Sequence, residues 1–468
     1  MVFASLEFLT LFLPTFLILY ALVGKKYRNA TLLFCSWVFY GWWSPLFLIL
    51  FMLLAVLGWI GGLAIGRSGN GAARGWMLTL FIGINLSTLC WFKYSNIVVE
   101  TLSGVLLAGG ALPIQWQAVV LPIGLSFIAL QSISYLIDVY RRTVPVDHSF
   151  ISFGAYQSMF VHLIAGPIIR YDWVKKELIE RPFDWIHFSL GARRFMIGMS
   201  MKVLIADTLA PVVDIAFSLQ NPSFSDAWIG CLAYTLQLFF DFAGYSVMAI
   251  GLGLMLGFRF PENFNNPYLS ISIQDFWRRW HISLSTWIRD YLYIPLGGNR
   301  VSPVRTYINL LLTMALAGLW HGGDSWNFLI WGLAHGFALC CGRLWGSYNL
   351  PKIPVLASRI LTLLFVCLAW TIFRSHTFAG ALNMYAGQFG MNQFGLSETM
   401  IVFIRPVQWM AGALGLFCTI APLFQSFISR HLNSTVIYIA DLWPLAGFLL
   451  SFALIASRGA VPFLYFQF

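Results

Sequence analysis

Residues 227–256, AWIGCLAYTLQLFFDFAGYSVMAIGLGLML, run thirty positions with a single charged side chain, Asp241. A helix that crosses about 30 Å of hydrocarbon needs roughly 20 residues, so this stretch is long enough to span a bilayer. Further apolar stretches lie at 3–23, 29–66 (two helices, broken near Pro45), 76–99, 101–112 with 118–137, 189–218, 306–322, 326–345, 355–373, 400–424 and 435–457. Together they predict an all-α polytopic membrane protein with about eleven crossings.

The composition agrees. Apolar residues make up 59% of the 468 and charged residues 10%, against roughly a quarter charged in soluble domains. The 20 Trp suit interfacial belts, where one ring edge stays wet. The net charge of +10 does not mark a nucleic-acid binder, because the basic residues form no long run. They sit in short segments between apolar stretches: Lys25, Lys26 and Arg28; Arg141 and Arg142; Arg170 through Lys202; Arg278 through Arg305. That is the positive-inside pattern, so these segments are expected to be cytoplasmic and the N-terminus outside. The first span lacks a basic n-region and a small-residue cleavage site and reads as a retained helix. The seven cysteines lie mostly in apolar runs without CxxC or Cys/His spacing, so neither a disulfide nor a metal is expected.

No internal repeat and no polar linker divides the chain, which predicts one membrane domain over 1–468. Two regions break the regular pattern. Residues 150–170 carry Gly and Pro where a span should be regular, and 259–300 hold Arg, Asp, Asn, Gly and Pro among aromatics. Irregular backbone at membrane depth is tolerated only where protein buries it or water reaches it. Both are therefore expected to be re-entrant or interfacial segments lining a central tunnel.

Within the second region, 274–291 read as a helix places Trp277, Trp280 or His281, Leu284, Ile288 and Tyr291 on one face. Two readings are open: a helix lying in the headgroups with arginines on phosphate, or a site in which Arg278, Arg279 and Arg289 hold an anionic donor such as coenzyme A. The second feature is Gly318-Leu319-Trp320-His321-Gly322-Gly323. An ionisable residue inside a membrane is costly and is a functional candidate. The flanking glycines would let the backbone bend and a substrate approach the ring. A neutral imidazole can take a hydroxyl proton while that oxygen attacks an activated carbonyl. No G-x-S-x-G elbow is present, which argues against a serine acyl-enzyme.

The strings FWRRWHISLSTWIRDYLYIPLGG (276–298) and Leu319-Trp320-His321-Gly322 resemble the membrane-bound O-acyltransferases, and among them the membrane subunits of bacterial alginate and cellulose O-acetylation systems. VFYGWW (38–43), LPIGLSF (121–127), FVHLIAGPIIR (160–170) and QLFFDFAGYSVMAIGLGLMLGF (237–258) extend the resemblance over most of the chain. The resemblance implies that His321 is the catalytic histidine and His281 its second polar residue, both facing a tunnel that crosses the membrane. Trp277, Trp280, Trp320, Asp241, His162 and His335 fall in matching strings as tunnel residues. For His162 and His335 structural hydrogen bonding in the wall is the alternative, and Asp241 is expected to pair with an Arg or to orient a histidine.

It further implies acetyl-CoA or another acyl thioester as donor, with no tightly bound cofactor. Implied partners are periplasmic acetyl-transfer proteins of the serine-esterase-like type, a polysaccharide synthase and export complex, and membrane lipid; the implied location is the bacterial cytoplasmic membrane.

The stretch Phe463-Leu464-Tyr465-Phe466-Gln467-Phe468 is either an aromatic anchor or, by similarity to a small partner in D-alanyl transfer, a place where Tyr465 receives the acyl group. A relay through Tyr465 needs an outside C-terminus, whereas eleven crossings from an outside N-terminus end inside. The rival readings are a D-alanyl transferase for teichoic acids, a polymer or lipid transporter and a non-catalytic scaffold.

Overall fold

The computed structural model describes residues 1–69, 71–181, 184–424 and 441–464. Among them every regular element is helical. Seven helices are long and apolar enough to cross a membrane: Pro45–Arg67, Gly71–Ala108, Trp185–Ser218, Phe224–Met255, Asn327–Ser347, Val355–Arg374 and Pro406–Phe424. Glu7–Leu22 and Trp443–Arg458 are shorter apolar helices.

The expected break near Pro45 is present: helix Arg28–Gly41 ends, Ser44 caps the next helix by accepting from the Phe47 N–H, and Pro45 occupies its first position, where a missing N–H costs nothing. Two boundaries differ from expectation. The stretches 76–99 and 101–112 join in one helix, Gly71–Ala108, because nothing between them breaks the hydrogen-bond ladder. The stretch 400–424 divides into Glu398–Phe403 and Pro406–Ile420, since Pro406 disfavours helical backbone at the residue before it.

The described residues fall into two compact units, the first comprising Met1–Phe195, Met248–Pro261 and Arg458–Pro462. Its core is aromatic: the Phe160 ring lies 5.2, 5.0 and 5.5 Å from those of Phe12, Phe16 and Phe39. The irregular segment 150–170 is buried here as two short helices, Phe150–Ser158 and Phe160–Leu163, neither long enough to span. Gly124 permits this packing. Its φ is 83°, and a Cβ there would collide with the Leu163 carbonyl oxygen, so LPIGLSF contains a turn only glycine fits.

The second unit comprises Met196–Val247, Glu262–Ser457 and Phe463 onward. Between Met201 and Ala206 the helix widens into a π turn. There Lys202, 2% exposed, donates to Asp207 Oδ1 and to Asp241 Oδ1, both at 2.8 Å. The cation expected beside Asp241 is thus Lys202 and not an arginine. Asp241 Oδ2 accepts the Leu464 backbone N–H at 2.8 Å, which fixes the C-terminal segment in the same unit.

Helices Pro303–His321 and Asn327–Ser347 pack face to face, and a Cβ on Gly318 would lie 3.0 Å from the Gly332 Cα and collide with the Phe328 carbonyl oxygen. Small residues supply close packing where lipid offers no hydrophobic drive between helices.

Removing one partner of a buried ion pair leaves uncompensated charge, costing about 3–5 kcal/mol. Lys202→Met is therefore expected to lower the melting temperature of the detergent-solubilised protein sharply. An unchanged melting temperature would mean that the two carboxylates do not depend on the lysine.

Candidate active site

His321 closes helix Pro303–His321, where the chain turns extended at Gly322 (φ −137°, ψ 148°). Its ring is 4% exposed and meets Trp331 edge-on at 5.2 Å, Trp320 at 5.0 Å and Phe373 at 5.5 Å. The neighbouring glycines admit close helix packing: a Cβ on Gly322 would overlap the Phe328 ring, as one on Gly318 would meet the facing helix. That packing places the imidazole.

His281 approaches from the segment expected to be one helix over 274–291. The structure divides that segment into Ile273–Arg279 and Ile282–Ile288. His281 stands between them with φ 42° and ψ 56°, a left-handed conformation that few residues other than glycine adopt. The predicted common face is therefore not formed: Trp280 ends one short helix and His281 begins the other. His281 is fully buried, its ring 6.5 Å from that of His321, 6.2 Å from Trp320 and 4.6 Å from Phe242.

The other expected tunnel residues separate into layers. Trp320 touches both histidine rings. Trp277 donates from Nε1 to His335 Nδ1 at 3.3 Å, which leaves the His335 proton on Nε2. Trp280 packs into an aromatic core with Phe276, Phe264 and Trp370 at 5.5, 5.1 and 5.2 Å. Asp241 belongs to the lysine cluster. His162 lies in the first unit, where its Nδ1 accepts from Gln131 Nε2 at 2.8 Å.

The three arginines are not equivalent. Arg279 is paired with Asp275 at 2.9 Å and Arg289 with Asp290 at 2.7 Å. Arg278 is exposed and has no partner among the described residues. Tyr465 lies outside the described residues. The residues just before it are buried: Phe463 packs on Tyr245 at 4.9 Å and on Phe242 at 5.8 Å, the same Phe242 that meets His281. Among the described residues no three His, Cys, Asp or Glu side chains converge as metal ligands would.

Sequence reasoning missed Lys202 and Asn263. Lys202 was grouped with the basic flank beginning at Arg170, although a lysine inside the apolar run 189–218 is itself a signal. Asn263, in the polar string Glu262-Asn263-Phe264-Asn265-Asn266, gave no sign beyond being polar at membrane depth.

Residues 75–377 match the membrane-bound O-acyltransferase family. The chain is 49% identical over 400 residues to the probable alginate O-acetylase AlgI of Pseudomonas aeruginosa, covering 85% of this chain and 76% of that protein. It is 33% identical to a peptidoglycan O-acetyltransferase of Helicobacter pylori, covering 83% and 80% of the two chains. Similarity to a teichoic acid D-alanyltransferase of Bacillus subtilis is lower, 28% over 55% of this chain and 69% of that one. Extent and identity of these matches, over a helical chain that carries the two buried histidines, establish that it belongs to the membrane-bound O-acyltransferase family and is a multi-pass membrane O-acyltransferase.

Proposed function

We propose that this chain moves acetyl groups from a cytosolic thioester, acetyl-CoA or a related donor, through the bacterial cytoplasmic membrane for O-acetylation of an exported polysaccharide of the alginate type. The observation that carries the reading is the pair of buried imidazoles, 6.5 Å apart between ring centroids, in a chain 49% identical to an alginate O-acetylase.

In this scheme His321 takes the proton of the acceptor hydroxyl as its oxygen attacks the thioester carbonyl. His281 polarises the carbonyl oxygen from the opposite side. The tetrahedral intermediate collapses with cleavage of the C–S bond, and the departing thiolate recovers the proton from His321. The first acceptor is the Tyr465 phenol, whose acetyl ester passes to a periplasmic partner of the serine-esterase-like type and so to the sugar hydroxyl. What supports the relay is the docking of Phe463 and Leu464 beside Phe242, one ring from His281. Arg278 meets the donor's phosphates on the cytoplasmic side, because a guanidinium without a carboxylate partner offers its full fork to phosphate.

Loss of a general base costs about 10²–10⁴ in rate. His321→Ala is expected to abolish polymer acetylation while polymer export and protein level stay normal. Acetylated polymer at wild-type amounts would sink the assignment, and loss of export would favour the transporter reading.

Arg278→Ala should raise the apparent KM for acetyl-CoA more than it lowers kcat. Arg279→Ala and Arg289→Ala should change it less, their charges being already matched by Asp275 and Asp290. An equal response in all three would show that pairing does not select the phosphate ligand.

Tyr465→Phe removes only a hydroxyl and should stop acetylation of the polymer. Full activity in that variant leaves the terminal aromatics as an anchor.

A further inference from the structure

A left-handed conformation at a histidine is sparsely populated, and it persists only where the surroundings over-determine it. The backbone bonds on either side of His281 are made by the short segment 263–265. Upstream of the histidine, the Arg279 carbonyl accepts the Asn265 N–H at 2.9 Å. Downstream, the Ile282 N–H donates to the Asn263 carbonyl at 2.9 Å. The Asn263 side chain then holds the next residue twice: Oδ1 accepts the Ser283 N–H at 3.1 Å and the Ser283 hydroxyl at 2.9 Å. Its Nδ2 donates to Ser246 Oγ at 3.1 Å on helix Phe224–Met255. Asn263, Ser246 and Ser283 are 1%, 1% and 2% exposed, so water cannot replace these bonds.

We infer that Asn263 is a positioning residue for the reacting pair: it locks the turn at His281 and thereby aims that imidazole at His321. Both amide atoms are used, and the backbone carbonyl adds a third tie. An apolar residue at 263 would leave the buried Ser283 N–H and hydroxyl and the Ser246 hydroxyl without this partner, and the turn would relax toward ordinary helix, which carries the His281 ring with it. This inference rests on the role proposed above for His281, so its test has one arm that reads activity and one that does not.

In membranes carrying the full chain, Asn263→Ala should lower kcat for radiolabelled acetyl-CoA by about 100-fold, the cost of displacing a reacting group by about 1 Å, with KM little changed. Asn263→Ser, whose hydroxyl falls short of Ser283, carries the same expectation should Asn263→Ala not accumulate. The second arm compares His281→Gly with His281→Ala, which both lack the imidazole. Where φ is positive, glycine is the less strained residue, so His281→Gly should melt higher by about 1 °C. With Asn263→Ala or Asn263→Ser present, that difference should disappear. Equal melting of the two His281 variants beside the native Asn263, or a difference that survives its replacement, overturns the clamp. If His281→Ala keeps full activity, the reading of His281 fails while the thermal comparison still judges Asn263. If His281→Ala is inactive and both Asn263 variants turn over normally, the positioning role is wrong.

Discussion

A peptide group that leaves a helix at membrane depth has no solvent to bond and must find its partner inside the protein. The polar segment around His281 meets that demand with a compact set of bonds between residues 263–265 and 279–283. The separate placement of Trp280 and His281 follows from it. Because the turn is paired, the chain can interrupt a helix between Trp280 and His281, sending the indole into an aromatic core and the imidazole the other way. An uninterrupted helix would set the two rings about 100° apart around one axis and could not give them these separate destinations.

Charge is handled by the same economy of local partners. Lys202 is held between two carboxylates, and Arg279 and Arg289 lie against acids one to four residues away. The histidines are enclosed mainly by aromatic rings. In such a medium an unscreened dipole acts more strongly than in water. The chemistry is placed by packing: Gly318 and Gly322 let the facing helix close, and Trp331 and Phe373 then fix the His321 ring.

Much of the architecture was legible in the sequence because it depends on local properties. Long apolar runs, the Pro45 boundary and the irregular character of 150–170 and 259–300 all follow from hydropathy and backbone chemistry within a few residues. The junction at 100–101 and the division at Pro406 were misplaced because apolar content alone does not mark where a ladder continues or stops. His321 and His281 were found through motifs, yet the conformation of His281 was not, since helical spacing over 274–291 looked continuous. What reverses it is Asn263, eighteen positions earlier, and no local pattern reports a bond at that separation. Asp241 was found and its partner misnamed for the same reason: Lys202 lies 39 positions away.

The bond from the Leu464 N–H to Asp241 has a consequence for biogenesis. Its two ends are 223 positions apart. Helix Phe224–Met255 emerges from the ribosome and enters the translocon long before residue 464 is synthesised. Until then Asp241 Oδ2 and the rings of Phe242 and Tyr245 lack the segment that covers them in the finished protein. Maturation of this unit is therefore post-insertional. A nascent chain halted before residue 463 would be membrane-embedded yet still lack the terminal cover on Asp241, Phe242 and Tyr245.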